Sequence, residues 1–163
     1  MTKTFMTPDI VAFNLAVTSK KQLLQSLSER LAHHGGLCER AVMDAVMKRE
    51  KLGSTGIGDG IALPHATLPK VSATVTLLAT LESPVEFDSP DGVAVDLVVL
   101  VLGCQEDSSS YLSSINTASQ LLKTHGTALR DATDETAGRN MLDRLLTAAA
   151  RHGGASAGNR MIA

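Results

Sequence analysis

The sequence predicts an α/β fold, specifically an α/β sandwich whose mixed sheet is flanked by helices. Two runs rich in β-branched residues, 71–81 (VSATVTLLATL) and 93–103 (VAVDLVVLVLG), sit mid-chain and read as buried strands. Segments with leucine and valine at helical spacing bracket them on both sides. Aromatic residues make up only 2% of the chain, with no Trp, so the core must be aliphatic.

In chain order, residues 9–17 (DIVAFNLAV) start as a strand. Residues 18–36 (TSKKQLLQSLSERLAHHGG) form a helix. Thr18 or Ser19 caps it, Leu23, Leu24, Leu27 and Leu31 line one face, and Gly35 and Gly36 end it. A second helix covers 38–53 (CERAVMDAVMKREKLG), with Val42, Ala45 and Val46 inward and Gly53 as terminator. A glycine-rich loop leads to a short strand at 60–64 (GIALP). Between the two central strands, residues 83–92 (SPVEFDSPDG) hold two prolines and an Asp-Gly pair, which are turn signals. After the serines at 108–110 comes a helix over 111–126 (YLSSINTASQLLKTHG), with Leu112, Ile115, Leu121 and Leu122 as its apolar positions. A last helix covers 133–154, and 155–163 (ASAGNRMIA) reads as frayed. The chain is read as one domain over 1–150 with a flexible C-terminal tail over 151–163.

Composition excludes several classes of function. A formal net charge of -2, three Phe and one Tyr offer neither a basic field nor stacking surfaces for nucleic acid. The longest apolar run, 93–103, carries Asp96 and falls short of the roughly 18 residues a membrane helix needs, so no membrane insertion is expected. The first residues, MTKTFMTPDIVAF, show no apolar export signal. Cys38 and Cys104 form no C-x-x-C pair, and two reduced thiols suit a cytoplasmic protein. No cluster of metal-ligating residues is seen, and no cofactor is implied.

Three histidines precede glycine: His34, His125 and His152. Each falls where a helix is expected to end, with His33 beside the first, and such residues suit helix C-termini without any chemistry. His65 differs. It follows Pro64, which has no N–H, at the end of the short apolar strand and beside the loop GSTGIGDG. Ligands bind at strand ends in α/β folds. A structural and a functional histidine both remain open on that ground alone.

The loop matches neither common phosphate fingerprint. After Gly53-x-x-x-x-Gly58 comes Asp59-Gly60 where a P-loop needs Lys and Ser/Thr. Leu63 stands where a dinucleotide fingerprint needs its third glycine, and the loop leaves a helix instead of opening one. What remains is the Ser54 and Thr55 hydroxyls, free backbone N–H groups including that of Gly56, and Arg49 one helical turn earlier. Together they compose a small anion nest. Beside such a nest a neutral imidazole can attack phosphorus in line. The alternative is a tight structural connection between helix and strand.

The segment REKLGSTGIGDGIALPHA, residues 49–66, closely resembles the active-site signature of enzyme IIA proteins of the bacterial phosphotransferase system, of the fructose/mannitol/nitrogen-regulatory class. Residues 84–103 (PVEFDSPDGVAVDLVVLVLG) resemble the stretch that follows in that family, and the likeness runs from about Pro8 to Ala148. The nitrogen-regulatory branch fits best. The resemblance implies an α/β sandwich, His65 as the phosphorylated histidine, and Arg49 with the Ser54–Thr55 segment supporting the phosphoryl group. It implies an HPr-like phosphocarrier as donor, and regulatory targets such as potassium transport systems and sensor kinases. Such a protein is a phosphocarrier more than a turnover enzyme. The family pattern also has a second active-site histidine in the helix after the aliphatic strand. Here that helix reads SSSYLSSINTASQLL, which puts Tyr111 and Ser113 in the available places, and Ser113 is expected to support the phosphoryl group. Two functions therefore compete: a phosphorylatable carrier with a regulatory output, and a binding module that keeps the fold without useful phosphotransfer. A hydrolase using Ser54 or Ser113 with His65 lacks the Gly-x-Ser-x-Gly elbow.

Overall fold

The computed structural model describes the backbone of residues 7–162 and the side chains of residues 7–148. The elements are β1 (Ile10–Leu15), α1 (Lys20–Gly35), α2 (Glu39–Lys51), β2 (Gly56–Gly58), β3 (Ile61–Ala62), β4 (His65–Leu68), β5 (Val75–Val85), β6 (Val95–Cys104), α3 (Ser108–Arg130) and α4 (Glu135–Ile162). Six strands form one mixed sheet in the order β1-β5-β6-β3-β2, with β4 also paired to β6. β1 runs parallel to β5, β5 antiparallel to β6, and both β3 and β4 parallel to β6. The expected mixed sheet between helical layers is therefore the observed one.

The central strands are largely apolar, β6 from Leu97 to Leu102 without interruption, because both their faces are covered. On β6, Val98, Leu100 and Leu102 join one core with Leu23, Leu27 and Leu31 of α1 and Val42 and Val46 of α2. The alternate residues Leu97, Val99 and Val101 join a second core with Ala118, Leu121 and Leu122 of α3 and Leu142 of α4. Local signals set the helix ends. Ser19 Oγ accepts from the Gln22 N–H at 3.1 Å, and Gly36, at φ 64, closes α1 in the left-handed region that glycine tolerates.

Several boundaries differ from expectation, each for a physical reason. α3 begins at Ser108, because Asp107 caps it by accepting from the Ser110 N–H, and it runs past His125-Gly126 to Arg130. Gly126 is not a terminator. A Cβ there would lie 3.1 Å from Leu97, so the glycine lets α3 sit close to the sheet. His125 is consequently inside a helix, whereas His33 and His34 do occupy the last turn of α1. Leu112 is 57% exposed, because the buried stripe of α3 passes through Ala118, Leu122 and Leu129 instead. The backbone of α4 continues through residue 152 and the stretch read as frayed, to Ile162, while the side chains of 149–163, His152 included, lie outside the described residues. β5 starts at Val75 and extends to Val85, with a register shift between Thr80 and Val85. Among the described residues, no helix is long and apolar enough to cross a membrane.

The expected strand at 60–64 shortens to β3, and a second short strand, β4, follows it along the same edge of β6. β3 pairs with Leu97 and Val98, and β4 pairs with Val101 through Cys104. Pro64 has no N–H to give, so the ladder breaks there, although its carbonyl still accepts from Val101 at 3.0 Å. His65 is therefore the first residue of a strand instead of the last.

Replacing Leu122 by Ala should destabilise the fold by about 2–5 kcal/mol, as for other fully buried leucines. Leu112→Ala should stay within about 0.5 kcal/mol. Chemical denaturation of both variants measures the difference, and comparable losses would contradict the register given for α3.

Candidate functional site

The glycine loop is held from within by a buried carboxylate. Glu50 lies on the inward face of α2, one and two turns beyond Val46 and Val42, and is 7% exposed. Its two oxygens accept from the Thr55 N–H and from the Thr55 hydroxyl, each at 2.7 Å. Lys20 of α1 supplies the opposite charge at 3.0 Å, with its ammonium also 4.4 Å above the centre of the Phe87 ring. Thr55 O in turn accepts from the Leu63 N–H at 2.9 Å. The end of α2, the loop and the break between β3 and β4 are thus one connected unit.

That unit places His65. Leu63 O lies 2.7 Å from His65 Nδ1, and a carbonyl can only accept, so Nδ1 carries the proton. Nε2 is left with its lone pair, which meets Arg49 Nε at 3.3 Å. Arg49 is itself tethered, donating from Nη1 to Gly53 O at 3.0 Å. Half-buried, His65 lines an open depression of about 350 Å³ together with Lys48, Arg49, Leu52, Thr67, Gln105 and Tyr111. Arg49 therefore faces an unprotonated histidine nitrogen at the edge of an open depression that Lys48 also lines.

The residues singled out from the sequence divide sharply. Arg49 and His65 meet as expected. Ser54, Thr55 and Gly56 do not line the depression. Ser54 Oγ donates to Phe87 O at 2.7 Å, the Thr55 hydroxyl is buried on Glu50, and Gly56 is pressed against Ser89, where a Cβ would come within 2.2 Å of Oγ. The loop glycines admit the neighbouring chain: Gly60, at φ 76, likewise has no room for a Cβ beside Arg130 and Asp96. Ser113 is exposed and outside the depression, whereas Tyr111 lies inside it, its ring centroid 6.1 Å from that of His65. The register of α3 decides this, since Tyr111 extends the stripe of Ala118 and Leu122 and Ser113 falls off it.

Sequence reasoning missed Glu50, Lys20 and Lys48. Glu50 had a readable signal, namely a carboxylate four residues after Val46 and eight after Val42 on an apolar stripe. Lys20 had none, because its partners Glu50 and Phe87 are distant in sequence.

Two shifted groups flank the unit. Asp91 accepts from the Asp59 and Val93 N–H groups, which holds its carboxyl below the ordinary carboxylate range. Burial pushes the Tyr111 phenol up, against a smaller opposing pull from Arg49.

A mixed sheet with an arginine-tethered histidine at a strand break defines the class of protein. The chain belongs to the family described as phosphoenolpyruvate-dependent sugar phosphotransferase system, EIIA 2, which it matches over residues 4–144. It is 40% identical over 116 residues to a nitrogen regulatory protein of Bradyrhizobium diazoefficiens, an overlap of 71% of this chain and 76% of that one. The crystal structure of nitrogen regulatory protein IIA-Ntr from Neisseria meningitidis superposes with a TM-score of 0.68 at 29% identity, covering 82% of this chain and 90% of that one. IIA mannitol from Escherichia coli shares the fold, with a TM-score of 0.67 at 20% identity over 81% of this chain and 94% of that one. The family resembled by residues 49–66 is thus the family of the chain.

Glu50→Ala should destabilise the protein by about 2–3 kcal/mol, because it leaves the buried Thr55 N–H and hydroxyl without their acceptor and removes the nearer carboxylate partner of Lys20. Thermal or chemical unfolding measures this, and a loss under about 1 kcal/mol would contradict the role given to Glu50. The Asp91 contact follows acid. A carboxyl depressed in the fold holds its N–H partners above its unfolded pKa and releases them as pH falls through the lower folded value. The Asp59 amide resonance should therefore titrate with a midpoint below about 3.9 and lose that titration in Asp91→Ala. A midpoint at or above that value would contradict the assignment.

Proposed function

We propose that this chain is a phosphohistidine carrier of the nitrogen-regulatory phosphotransferase type, accepting a phosphoryl group on His65 from an HPr-like phosphocarrier. Its phosphorylation state would then control regulatory targets, of which potassium transport and sensor kinase systems are the classes implied by the family resemblance. The observation that carries this reading is the Nδ1–H bond to Leu63 O, which leaves Nε2 unprotonated, facing Arg49 in an open depression.

The step balances without moving a proton. The Nε2 lone pair attacks phosphorus in line, forming the new N–P bond as the donor's N–P bond breaks, and the donor's imidazole leaves with the electron pair. Positive charge arriving on the His65 ring is met at Nδ1–H by Leu63 O. Arg49 Nε, only 3.3 Å from Nε2 and so weakly bonded, gives way and turns its guanidinium to the phosphoryl oxygens. Its anchor on Gly53 O limits how far it must swing. The depression is open, which suits transfer between two protein surfaces.

A second reading, a binding module without useful phosphotransfer, is favoured by one observation: the aromatic ring beside His65 is a neutral phenol, not an imidazole.

Incubation with phosphoenolpyruvate, enzyme I and an HPr-like carrier should add one phosphoryl group by intact mass. His65→Ala should add none, while variants at His33, His34 and His125 should label normally. Arg49→Ala should slow labelling by about 10–100-fold, the worth of a hydrogen bond to a charged group at roughly 1.5–3 kcal/mol. Unlabelled wild type with an intact fold would replace the carrier reading by the binding module.

A further inference from the structure

Tyr111 reaches His65 from the other side of the sheet. Arg49 belongs to α2, which packs on one core, and Tyr111 belongs to α3, which packs on the other. Both line the same depression, and the tyrosine ring is tilted 57° to the imidazole. The ring has a made seat. A Cβ at Gly103 of β6 would fall 2.2 Å from Tyr111 Cδ2 and 2.6 Å from its Cγ, so only glycine lets the ring lie there. These are atoms near the root of the side chain, so the whole ring would have to turn away from any larger residue.

Resting on the carrier reading above, we propose that Tyr111 is a ligand of the phosphoryl group on His65, its O–H donating to a phosphoryl oxygen on the side away from the Arg49 helix. Burial keeps the phenol protonated, and hence a donor, throughout the neutral range. A neutral donor to a charged oxygen makes a short, directional bond but brings no positive charge. The cations Arg49 and Lys48 on α2 then balance the phosphoryl charge, and Tyr111 fixes its orientation. Gly103 is a positioning residue that acts only through the ring it seats.

Wild type and Tyr111→Phe are each charged from phosphoenolpyruvate through enzyme I and an HPr-like carrier. The carrier is then removed, and loss of the phosphoryl group is followed by intact mass. Phe keeps the ring on Gly103 and its shielding of His65, so the comparison isolates the hydroxyl. The Phe variant should lose its phosphoryl group about tenfold faster, with the amide spectrum of the uncharged protein unchanged outside the depression. Gly103→Ala, which turns the ring, should shorten the lifetime in wild type but hardly alter it in the Phe background. Equal lifetimes for wild type and Tyr111→Phe would overturn the role of the hydroxyl while leaving the carrier reading in place. So would a Gly103→Ala effect of the same size in both backgrounds. Wild type that takes no phosphoryl group on His65 would overturn the carrier reading itself, and this role with it.

Discussion

The buried Glu50 carboxylate is the constraint on which the site depends. A charge in this position is tolerable only if it is paired and fully hydrogen-bonded, and Lys20 with the two Thr55 donors meets both conditions. Because the donors belong to the loop and the carboxylate to α2, satisfying the charge also sets where the loop leaves the helix. Thr55 O then holds the Leu63 N–H, and Leu63 O holds the His65 ring. Arg49, next to Glu50 on the same helix, closes the circuit at His65 Nε2. One buried charge thus sets the orientation of a histidine fifteen residues further along the chain.

The glycines serve that circuit and do not line the depression. Gly56 and Gly60 let the loop lie against the connection between β5 and β6 and against Arg130 of α3. Arg130 also donates to Asp59 O and pairs with Asp96 at 2.8 Å. α3 therefore touches the unit twice, through Tyr111 near its start and Arg130 at its end. The side chains that line the depression protrude from a rigid frame, which is the arrangement that positioning requires.

Much of this was readable in the sequence, and the failures share a cause. α1 was legible in full, because its cap, apolar face and terminal glycine are all local signals. His65 and Arg49 were legible through the motif they share. The roles of Ser54 and Thr55 were not, because Ser54 is engaged by Phe87, thirty-three residues away, and Thr55 by a glutamate not recognised as buried. β4 escaped notice because four residues beside a proline become a strand only when β6 pairs with them. Tyr111 and Ser113 both stood in the available places, and only the stripe of α3 separates them. Reading α3 backward from Ala118 and Leu122 gives the observed stripe.

The account stands or falls on which nitrogen of His65 holds the proton. Two-bond proton–nitrogen correlation spectra of the histidine-labelled protein, taken before and after charging, test it directly. The account predicts the Nδ1–H tautomer at rest and a phosphorus–nitrogen bond at Nε2 afterwards, with Nδ1 still protonated. A resting Nε2–H tautomer, or a phosphoryl group on Nδ1, would contradict it.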